Sequence, residues 1–192
     1  VYSAWTGAGT VKLRVDGSAF VTYDRNGEAR QAVKTLSGLW DWEGWVVDAV
    51  ADGSVVKFAS VADQTVTLGK ITLPSLASRV HGGLKYVSDV ETLNVEAARG
   101  TIQGKKMKVG RVTTRFKKSR LPLVGPDSDH LGPTKQRETE KIGAPVALFT
   151  GDKKVTIQPS WKSNGRLFYR QVDPLPFTIL AVIPELEVED DD

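Results

Sequence analysis

The chain has 192 residues, of which 40% are hydrophobic and 26% are charged, so its composition is that of a folded globular protein and excludes general disorder. It contains no cysteine, which excludes disulfides, thiolate metal sites and cysteine nucleophiles. No apolar run approaches the roughly 20 residues of a membrane-spanning helix, and we therefore expect no membrane span.

Turn dipeptides punctuate the chain and predict hairpins at four places. They lie between apolar or β-branched runs, where residues that tolerate positive φ close tight turns: Asp16-Gly17, Asn26-Gly27, Asp52-Gly53 and Asn164-Gly165. Further strands are predicted at 65–68, 70–73, 79–84, 90–95, 108–118, 155–158, 167–172 and 177–183. Because only the segment 94–103 tolerates a helix, the sequence predicts an all-β fold.

The same signals divide the chain into two parts. We predict two small antiparallel β-sandwich or barrel-like modules with long loops, at residues 1–97 and 98–188. The second module contains a proline-rich surface loop at 121–145, and residues 189–192 form an acidic tail. Because the chain begins at Val1, we expect it to be part of a longer protein.

The segment KKMKVGRVTTRFKKSR, residues 105–120, carries eight basic side chains and no acidic one. If Val112, Thr114 and Phe116 face a core, alternation places Arg111, Arg115 and Lys117 on an outer cationic stripe. One interpretation is salt-dependent contact with DNA phosphates. The alternative, which we favour, is a solvated face or a charged subunit interface, with the acidic C-terminal residues as a partner in a neighbouring subunit or in the same chain.

Three tryptophans form the second candidate site, in the segment LWDWEGW at 39–45. Trp40 and Trp42 beside Asp41 and Glu43 have the chemistry of a carbohydrate-binding surface, because sugar rings stack on indoles and sugar hydroxyls bind carboxylates. The favoured interpretation is that strand alternation sends Trp40 and Trp42 to one face, where they fill a core or an interface.

The segment GPDSDH at 125–130 brings two carboxylates and an imidazole together, as hard-metal and zinc sites do. The remaining ligands are missing at diagnostic spacing, so an aspartate-rich turn that caps its own backbone is the favoured interpretation. Catalytic motifs, such as a nucleophile elbow or a phosphate-binding glycine loop, are also missing from the sequence. We therefore expect no enzyme activity, no metal and no cofactor.

Six stretches, taken in order, resemble the C-terminal part of the tail tubular protein B, or tail nozzle, family of short-tailed bacteriophages. They are YDRNGEARQAVKTLSGLWDWEG (23–44), VADGSVV (50–56), ITLPSLASRVHGGLKYVSDVETL (71–93), GTIQGKKMKVGRVTTRFKKSR (100–120), VGPDSD (124–129) and the ending from Leu148 to Val188. Residues 1–19 form a lead-in outside the resemblance, and the acidic tail is unlike the family's endings.

The resemblance implies a structural virion protein, made in the host bacterial cytoplasm and located in the tail. It implies a homo-oligomeric ring of the full-length protein below the portal and adaptor, a conduit for genome ejection with nonspecific contact to DNA, and attachment of tail fibres. No catalytic residue comes with it. Glycan binding through Trp40 and Trp42 is the alternative function that the sequence leaves open.

Overall fold

A computed structural model describes residues 2–5, 11–14, 21–23, 29–96, 102, 104–137, 140, 145–158 and 165–189, with side chains from residue 32 onward. Antiparallel strands dominate it, in several small sheets, which confirms the predicted all-β class. No helix in these ranges has the length and apolar character needed to cross a membrane. The chain divides into two compact units, Val1–Lys85 (unit 1) and Tyr86–Asp192 (unit 2).

Unit 1 begins with four short strands that form one antiparallel sheet in chain order. They are β1 (Tyr2–Trp5), β2 (Val11–Arg14), β3 (Val21–Tyr23) and β4 (Ala29–Gln31). The pairs β2–β3 and β3–β4 are those that turns at Asp16-Gly17 and Asn26-Gly27 connect. The turn residues themselves lie outside the described residues.

The rest of unit 1 is two small sheets, β5–β8 and β7–β6–β9, with one core. The elements are β5 (Val33–Ser37), a 3₁₀ turn (Trp40–Trp42), β6 (Val47–Ala51), β7 (Ser54–Val55), α1 (Val61–Gln64), β8 (Lys70–Ala77) and β9 (Val80–Leu84). Alternation along β6 and β8 sends Val47, Ile71 and Leu73 into that core, where each is nearly inaccessible to solvent.

The hairpin predicted at Asp52-Gly53 is present and joins β6 to β7. Both turn residues have positive φ, 49° for Asp52 and 85° for Gly53, as a two-residue type I′ turn requires. The Asp52 carboxylate accepts hydrogen bonds from the backbone N–H groups of Ser78 and Arg79, at 3.1 and 2.8 Å. The turn is therefore fixed to the connection between β8 and β9.

The helix α1 was not predicted, and it lies just before the predicted strand 65–68. Ser60 and Asp63 form a reciprocal capping box, in which the Ser60 hydroxyl accepts from the Asp63 N–H and the Asp63 carboxylate accepts from the Ser60 N–H. The predicted strand is reduced to isolated bridges at Thr65 and Thr67. Of the helix-tolerant segment 94–103, most positions lie outside the described residues.

Unit 2 contains a four-stranded sheet, β10–β15–β12–β13, and a three-stranded sheet, β14–β11–β16. The strands are β10 (Ser88–Glu91), β11 (Met107–Ser119), β12 (Leu123–Gly125), β13 (Gly132–Pro133), β14 (Phe149–Thr156), β15 (Phe168–Gln171) and β16 (Ile179–Val188). Two predictions need correction. The loop at 121–145 contains β12 and β13. The strands that flank the predicted turn at Asn164-Gly165, β14 and β15, belong to different sheets and so do not form the predicted hairpin, while Asn164 itself lies outside the described residues.

The predicted boundary at 97/98 also needs correction, because the two units divide between Lys85 and Tyr86. The strand β10 pairs along its length with β15, and the Arg170 guanidinium forms two hydrogen bonds of 2.8 Å with the Asp89 carboxylate. These long-range contacts place β10 in unit 2. Sequence punctuation marks where strands end, but it carries no information about the partner of a strand.

The two sheets of unit 2 pack on a shared core that includes Val112, Val124 and Tyr169. At its centre the side-chain oxygens of Thr114 on β11 and Tyr169 on β15 lie 2.8 Å apart, and both side chains are fully buried. Burial raises the pKa of the Tyr169 phenol, so the hydroxyl stays protonated and remains available for this hydrogen bond.

Replacing Tyr169 by Phe tests this inter-sheet hydrogen bond. We expect a loss of about 1–3 kcal/mol in the free energy of unfolding, because the Thr114 hydroxyl remains buried without its partner. The double change Thr114→Val with Tyr169→Phe removes both polar groups and should cost less than the sum of the single changes. Urea unfolding of the four proteins measures this, and strict additivity would contradict it.

Candidate functional site

The basic strand β11 has the facing predicted for it between Arg111 and Lys117. Val112, Thr114 and Phe116 are buried, while Arg111, Arg115 and Lys117 are exposed. The register with β16 shifts between Val109 and Arg111, so Met107 and Val109 also face inward. The outer side chains of β11 therefore stand between those of β14 and β16.

Carboxylates on the neighbouring strands pair with most of the basic side chains of this face. Arg115 binds Asp152 of β14 through two hydrogen bonds of 2.7 and 2.9 Å. Lys154 of β14 lies 2.5 Å from Glu185 of β16, and Glu185 is directly opposite Arg111 in the β11–β16 register. Two further pairs lie at the end of β16 and just beyond it: Lys108–Glu187 at 3.1 Å and Lys106–Glu189 at 3.7 Å.

The described part of the acidic ending therefore interacts with the basic strand of its own chain. Glu185 and Glu187 alternate on the exposed face of β16, and Glu189 follows that strand, its N–H donating to Lys106 O. Of the predicted tail 189–192, Glu189 makes this contact and residues 190–192 lie outside the described residues. Between the two sequence-based alternatives for these carboxylates, the geometry supports pairing within the chain.

Two of these contacts lower the pKa of the carboxylate that they involve. The hydrogen bonds from Arg115 lower the pKa of Asp152, and the hydrogen bond from Lys154 lowers the pKa of Glu185, with Arg111 adding a smaller favourable charge interaction. All these side chains are solvent-exposed, so each pair stabilises the fold weakly and is sensitive to salt. In this part of the face, four carboxylates meet five basic side chains (Lys106, Lys108, Arg111, Arg115 and Lys154), so it is close to charge-balanced.

Lys117 and Lys118 differ from the rest of the stripe. They occupy an irregularity in the β11–β14 register between Phe116 and Ser119, where Lys118 has a φ of 45°. Both side chains are exposed, and within the described ranges neither forms an ion pair. In the predicted stripe, Arg111 and Arg115 therefore face carboxylates of the neighbouring strands, whereas Lys117 faces none in the described ranges.

The tryptophan segment does not form a strand, so the prediction that Trp40 and Trp42 share one face is wrong. Trp40–Trp42 is a 3₁₀ turn between two glycines of positive φ, Gly38 and Gly44, and strand alternation does not apply to it. Trp42 packs against the core of unit 1. Trp40 and Trp45 are 66% and 61% exposed.

Trp40 and Glu43 hold a second tight turn in unit 1, at Leu68-Gly69. The Glu43 carboxylate accepts hydrogen bonds from the N–H groups of Leu68 and Gly69, at 2.8 and 2.7 Å. The indole of Trp40 lies against Gly69 so closely that a Cβ there would come within 2.5 Å of the ring. Both turn residues have positive φ, which leucine adopts only at some cost. The segment therefore has a structural role: it clamps a strained turn.

The aspartate-rich segment is a turn that binds its own backbone. One oxygen of the Asp127 carboxylate accepts from the N–H groups of Asp129 and His130, at 3.1 and 2.9 Å, and lies 2.7 Å from Nδ1 of His130. Gly125 is required beside it, because a Cβ at that position would lie 2.0 Å from the His130 carbonyl oxygen. In the part of the chain that the structure describes, no group of three or more His, Asp or Glu side chains is arranged to hold a metal ion.

Sequence reasoning did not identify the corner at the end of β11. The Arg120 guanidinium binds the Asp173 carboxylate at 2.7 Å, and the Arg120 N–H donates to Pro176 O at 2.8 Å. The Gln171 amide donates to Arg120 O at 3.0 Å. Nothing in the local sequence distinguishes Arg120 from the surface lysines before it, because its partners are about fifty positions away.

No protein-family model matches this chain, and no curated protein matches it either. The resemblance to the phage tail nozzle family therefore remains a prediction from the quoted stretches. The functional proposal depends on those stretches and on the geometry described above.

Replacing Glu43 by Ala tests the clamp on the Leu68-Gly69 turn. Two backbone N–H groups lose their acceptor, and we expect a loss of about 1 kcal/mol in the free energy of unfolding, comparable to the loss of a helix N-cap. Asp41→Ala is the matched control, since the exposed Asp41 side chain has no hydrogen bond within the described residues. Equal effects of the two changes, measured by thermal or urea unfolding, would contradict the clamp.

The paired carboxylates predict acid sensitivity of unit 2. Asp89, Asp152 and Glu185 have a pKa lowered by their basic partners, so the folded state binds fewer protons than the unfolded state in mild acid. Their stabilisation is present above about pH 4 and is lost as the pH falls through the lowered values. The free energy of unfolding, measured against pH, should fall less steeply below pH 4 in Asp152→Asn than in wild type. Lys117→Gln, which removes no carboxylate, should keep the wild-type slope.

Proposed function

We propose that this chain is part of a structural virion protein of a phage or prophage tail, a component of the nozzle or tail tube that serves genome ejection and tail-fibre attachment. It acts through protein–protein interfaces and without catalysis. The portal or adaptor ring, the tail fibres and further copies of the same chain are its proposed partners. The virion tail is its proposed location.

The observation that carries the proposal is the order of the resembling stretches. Six segments between Tyr23 and Val188 follow the family pattern in sequence, and they extend through both units of the structure. Each stretch alone is a short turn or strand pattern with little specificity. Their order over most of the chain supports common ancestry more strongly than any single stretch does.

A second observation also supports a structural function: the carboxylates named next bind arginines and turn backbones. Asp152, Asp89 and Asp173 each bind an arginine, and Glu43 and Asp52 bind the backbone of turns. Catalytic acids and bases need a substrate-facing position and a pKa near the working pH. These carboxylates are instead engaged in holding sheets and turns in place.

The charge pattern supports contact with DNA at one end of the basic stripe only. Arg111 and Arg115 face carboxylates in their own sheet, so Lys117 and Lys118 are the basic residues of this stripe that remain available to phosphate groups. A surface that is mostly charge-balanced holds DNA weakly, because few counterions are released on contact. Weak contact is compatible with a conduit through which DNA has to move.

Glycan binding through Trp40 and Trp42 is less well supported. Trp42 packs against the core, and the Leu68-Gly69 turn binds both oxygens of the Glu43 carboxylate. The proposed pair of indoles and one of its acceptors are therefore not presented together. Trp40 keeps an exposed ring, but its other side contacts Gly69.

The proposal predicts that this chain is present in purified virions and lies in the tail. Immunogold labelling with an antibody against the chain, viewed by negative-stain electron microscopy, should mark the end of the particle opposite the capsid. The same particles treated with preimmune serum are the control. If peptides of this chain are missing from purified virions by mass spectrometry, while peptides of the major capsid protein are found, the proposal is wrong.

A further inference from the structure

The strand β10 lies at the edge of its sheet, and among the described residues it is hydrogen-bonded on one side only, to β15. The Thr92 N–H donates to Leu167 O at 2.9 Å, directly after the strand. The backbone N–H and C=O groups of an antiparallel strand alternate in direction from one residue to the next. Those of Ser88 and Val90 therefore also point toward β15, and those of Asp89 and Glu91 point away from it. Within the described residues, no backbone hydrogen bond reaches Asp89 or Glu91 from the open side.

Apolar side chains are unusually exposed along this edge. Tyr86, Val87, Val90 and Leu93 are 64%, 50%, 43% and 86% exposed. Val90 is opposite Tyr169 in the register, on the face of the sheet that looks into the core, yet Tyr169 is fully buried and Val90 is not. On this face of the sheet, other side chains therefore cover β15 but leave β10 exposed.

An open pocket of about 400 Å³ lies beside this uncovered face. Tyr86 and Ser88 form one wall, and the segment with Leu175 and Phe177 forms another. None of the seven lining residues is charged. The second wall is preformed, since the Arg120 N–H donates to Pro176 O and the Arg120 side chain holds Asp173. The pocket is thus suited to uncharged side chains, and Leu175, Pro176 and Phe177 give it an apolar wall.

The other sheet edges of unit 2 carry features that oppose strand addition. The strand β16 has Pro184 at its middle, followed by Glu185 and Glu187, and β13 is two residues long and contains Pro133. The strand β14 carries exposed Asp152 and Lys154. Proline, charge and short length are the usual means by which proteins block edge pairing. The charged side chains of β10 are instead paired within unit 2: Asp89 binds Arg170 of β15, and Glu91 binds Arg166, which lies just before β15.

A second copy of β10 is a poor partner for this edge. In an antiparallel pairing that keeps both inner faces on one side and overlaps most of the strand, Asp89 is opposite either Asp89 or Glu91 of the other copy. Like charges directly opposite each other destabilise a strand pair. A partner strand with lysine, arginine or neutral polar side chains on its outer face avoids this repulsion.

We propose that the open edge of β10 and the pocket beside it bind an extended segment of another polypeptide by strand addition. Backbone hydrogen bonds to Asp89 and Glu91 supply affinity, and alternate apolar side chains of the partner enter the pocket and cover Val90. Its other side chains, basic or neutral, lie beside Asp89 and Glu91. The inference concerns unit 2 alone and does not depend on the virion role.

Displayed peptides of about nine residues test this proposal. One library alternates Val, Ile, Leu or Phe with Lys, Thr or Ser, and a control library has the same composition with its apolar residues in one block. The alternating library should yield binders to the full chain. On binding, the amides of Asp89 and Glu91 should gain protection from hydrogen exchange in NMR spectra, while Val90, already bonded to β15, should change little.

Two substitutions at one position separate backbone pairing from side-chain effects. Asp89→Pro removes an outward N–H, which an edge strand tolerates, and should weaken peptide binding about tenfold. Asp89→Asn keeps that N–H and removes the charge, and binding should stay within about threefold. Circular dichroism checks that both variants fold. If Asp89→Pro does not fold, N-methylation of alternate peptide amides replaces it: one set of positions should abolish binding and the other should not.

Three results would overturn the proposal. The first is the absence of binders from the alternating library, and the second is equal binding by Asp89→Pro and Asp89→Asn when both are folded. The third is a concentration-dependent dimer of the free chain, seen by light scattering and lost in Asp89→Pro, which would identify a second copy as the occupant.

Discussion

The pairing of β11 on both of its sides is the constraint on which unit 2 depends. Residues Arg111 to Phe116 of this strand pair with β14 on one side and with β16 on the other, so the facing of each of these side chains is fixed by two neighbours. A slip of one residue would exchange Val112 and Phe116 with Arg111 and Lys117, placing charges in the core. The same pairing brings Thr114 to Tyr169 and leads into the corner at Arg120. The packing of the second sheet follows from this arrangement.

The charged face and the open edge of unit 2 have different physical characters. On the face, carboxylates of β14 and β16 neutralise most of the basic strand, and exposed pairs of this kind contribute little to stability. At the β10 edge, apolar side chains and unpaired backbone groups stand beside a pocket without charged walls. Desolvation of such a surface favours association, whereas the balanced face gains little from it. The edge is therefore physically better suited to association with another polypeptide than the face is.

In unit 1 the tryptophan segment has the composition of a binding surface but a structural role. Aromatic rings beside carboxylates are typical of sugar-binding surfaces, and the sequence alone leaves that function open. In the structure the Leu68-Gly69 turn lies about 25 positions further along the chain, where its two backbone N–H groups donate to the Glu43 carboxylate and Gly69 lies against the Trp40 ring. The composition identified an unusual segment, and the tertiary contact determined its role.

The sequence by itself determined the all-β class, the Asp52-Gly53 hairpin, the alternation of β11 between core and solvent and the self-capping turn at Asp127. Each depends on residues within a few positions of one another, through φ preferences and the two-residue period of a strand. Only the tertiary structure decided which strands are neighbours: that β10 joins unit 2, that β12 and β13 lie within the predicted loop, and that β14 and β15 belong to different sheets. It also decided that the basic stripe is mostly neutralised, that Arg120 holds a corner and that the β10 edge stays open. Strand pairing joins backbone groups that are alike at every position, so the choice of partner depends on distant side chains that no local pattern records.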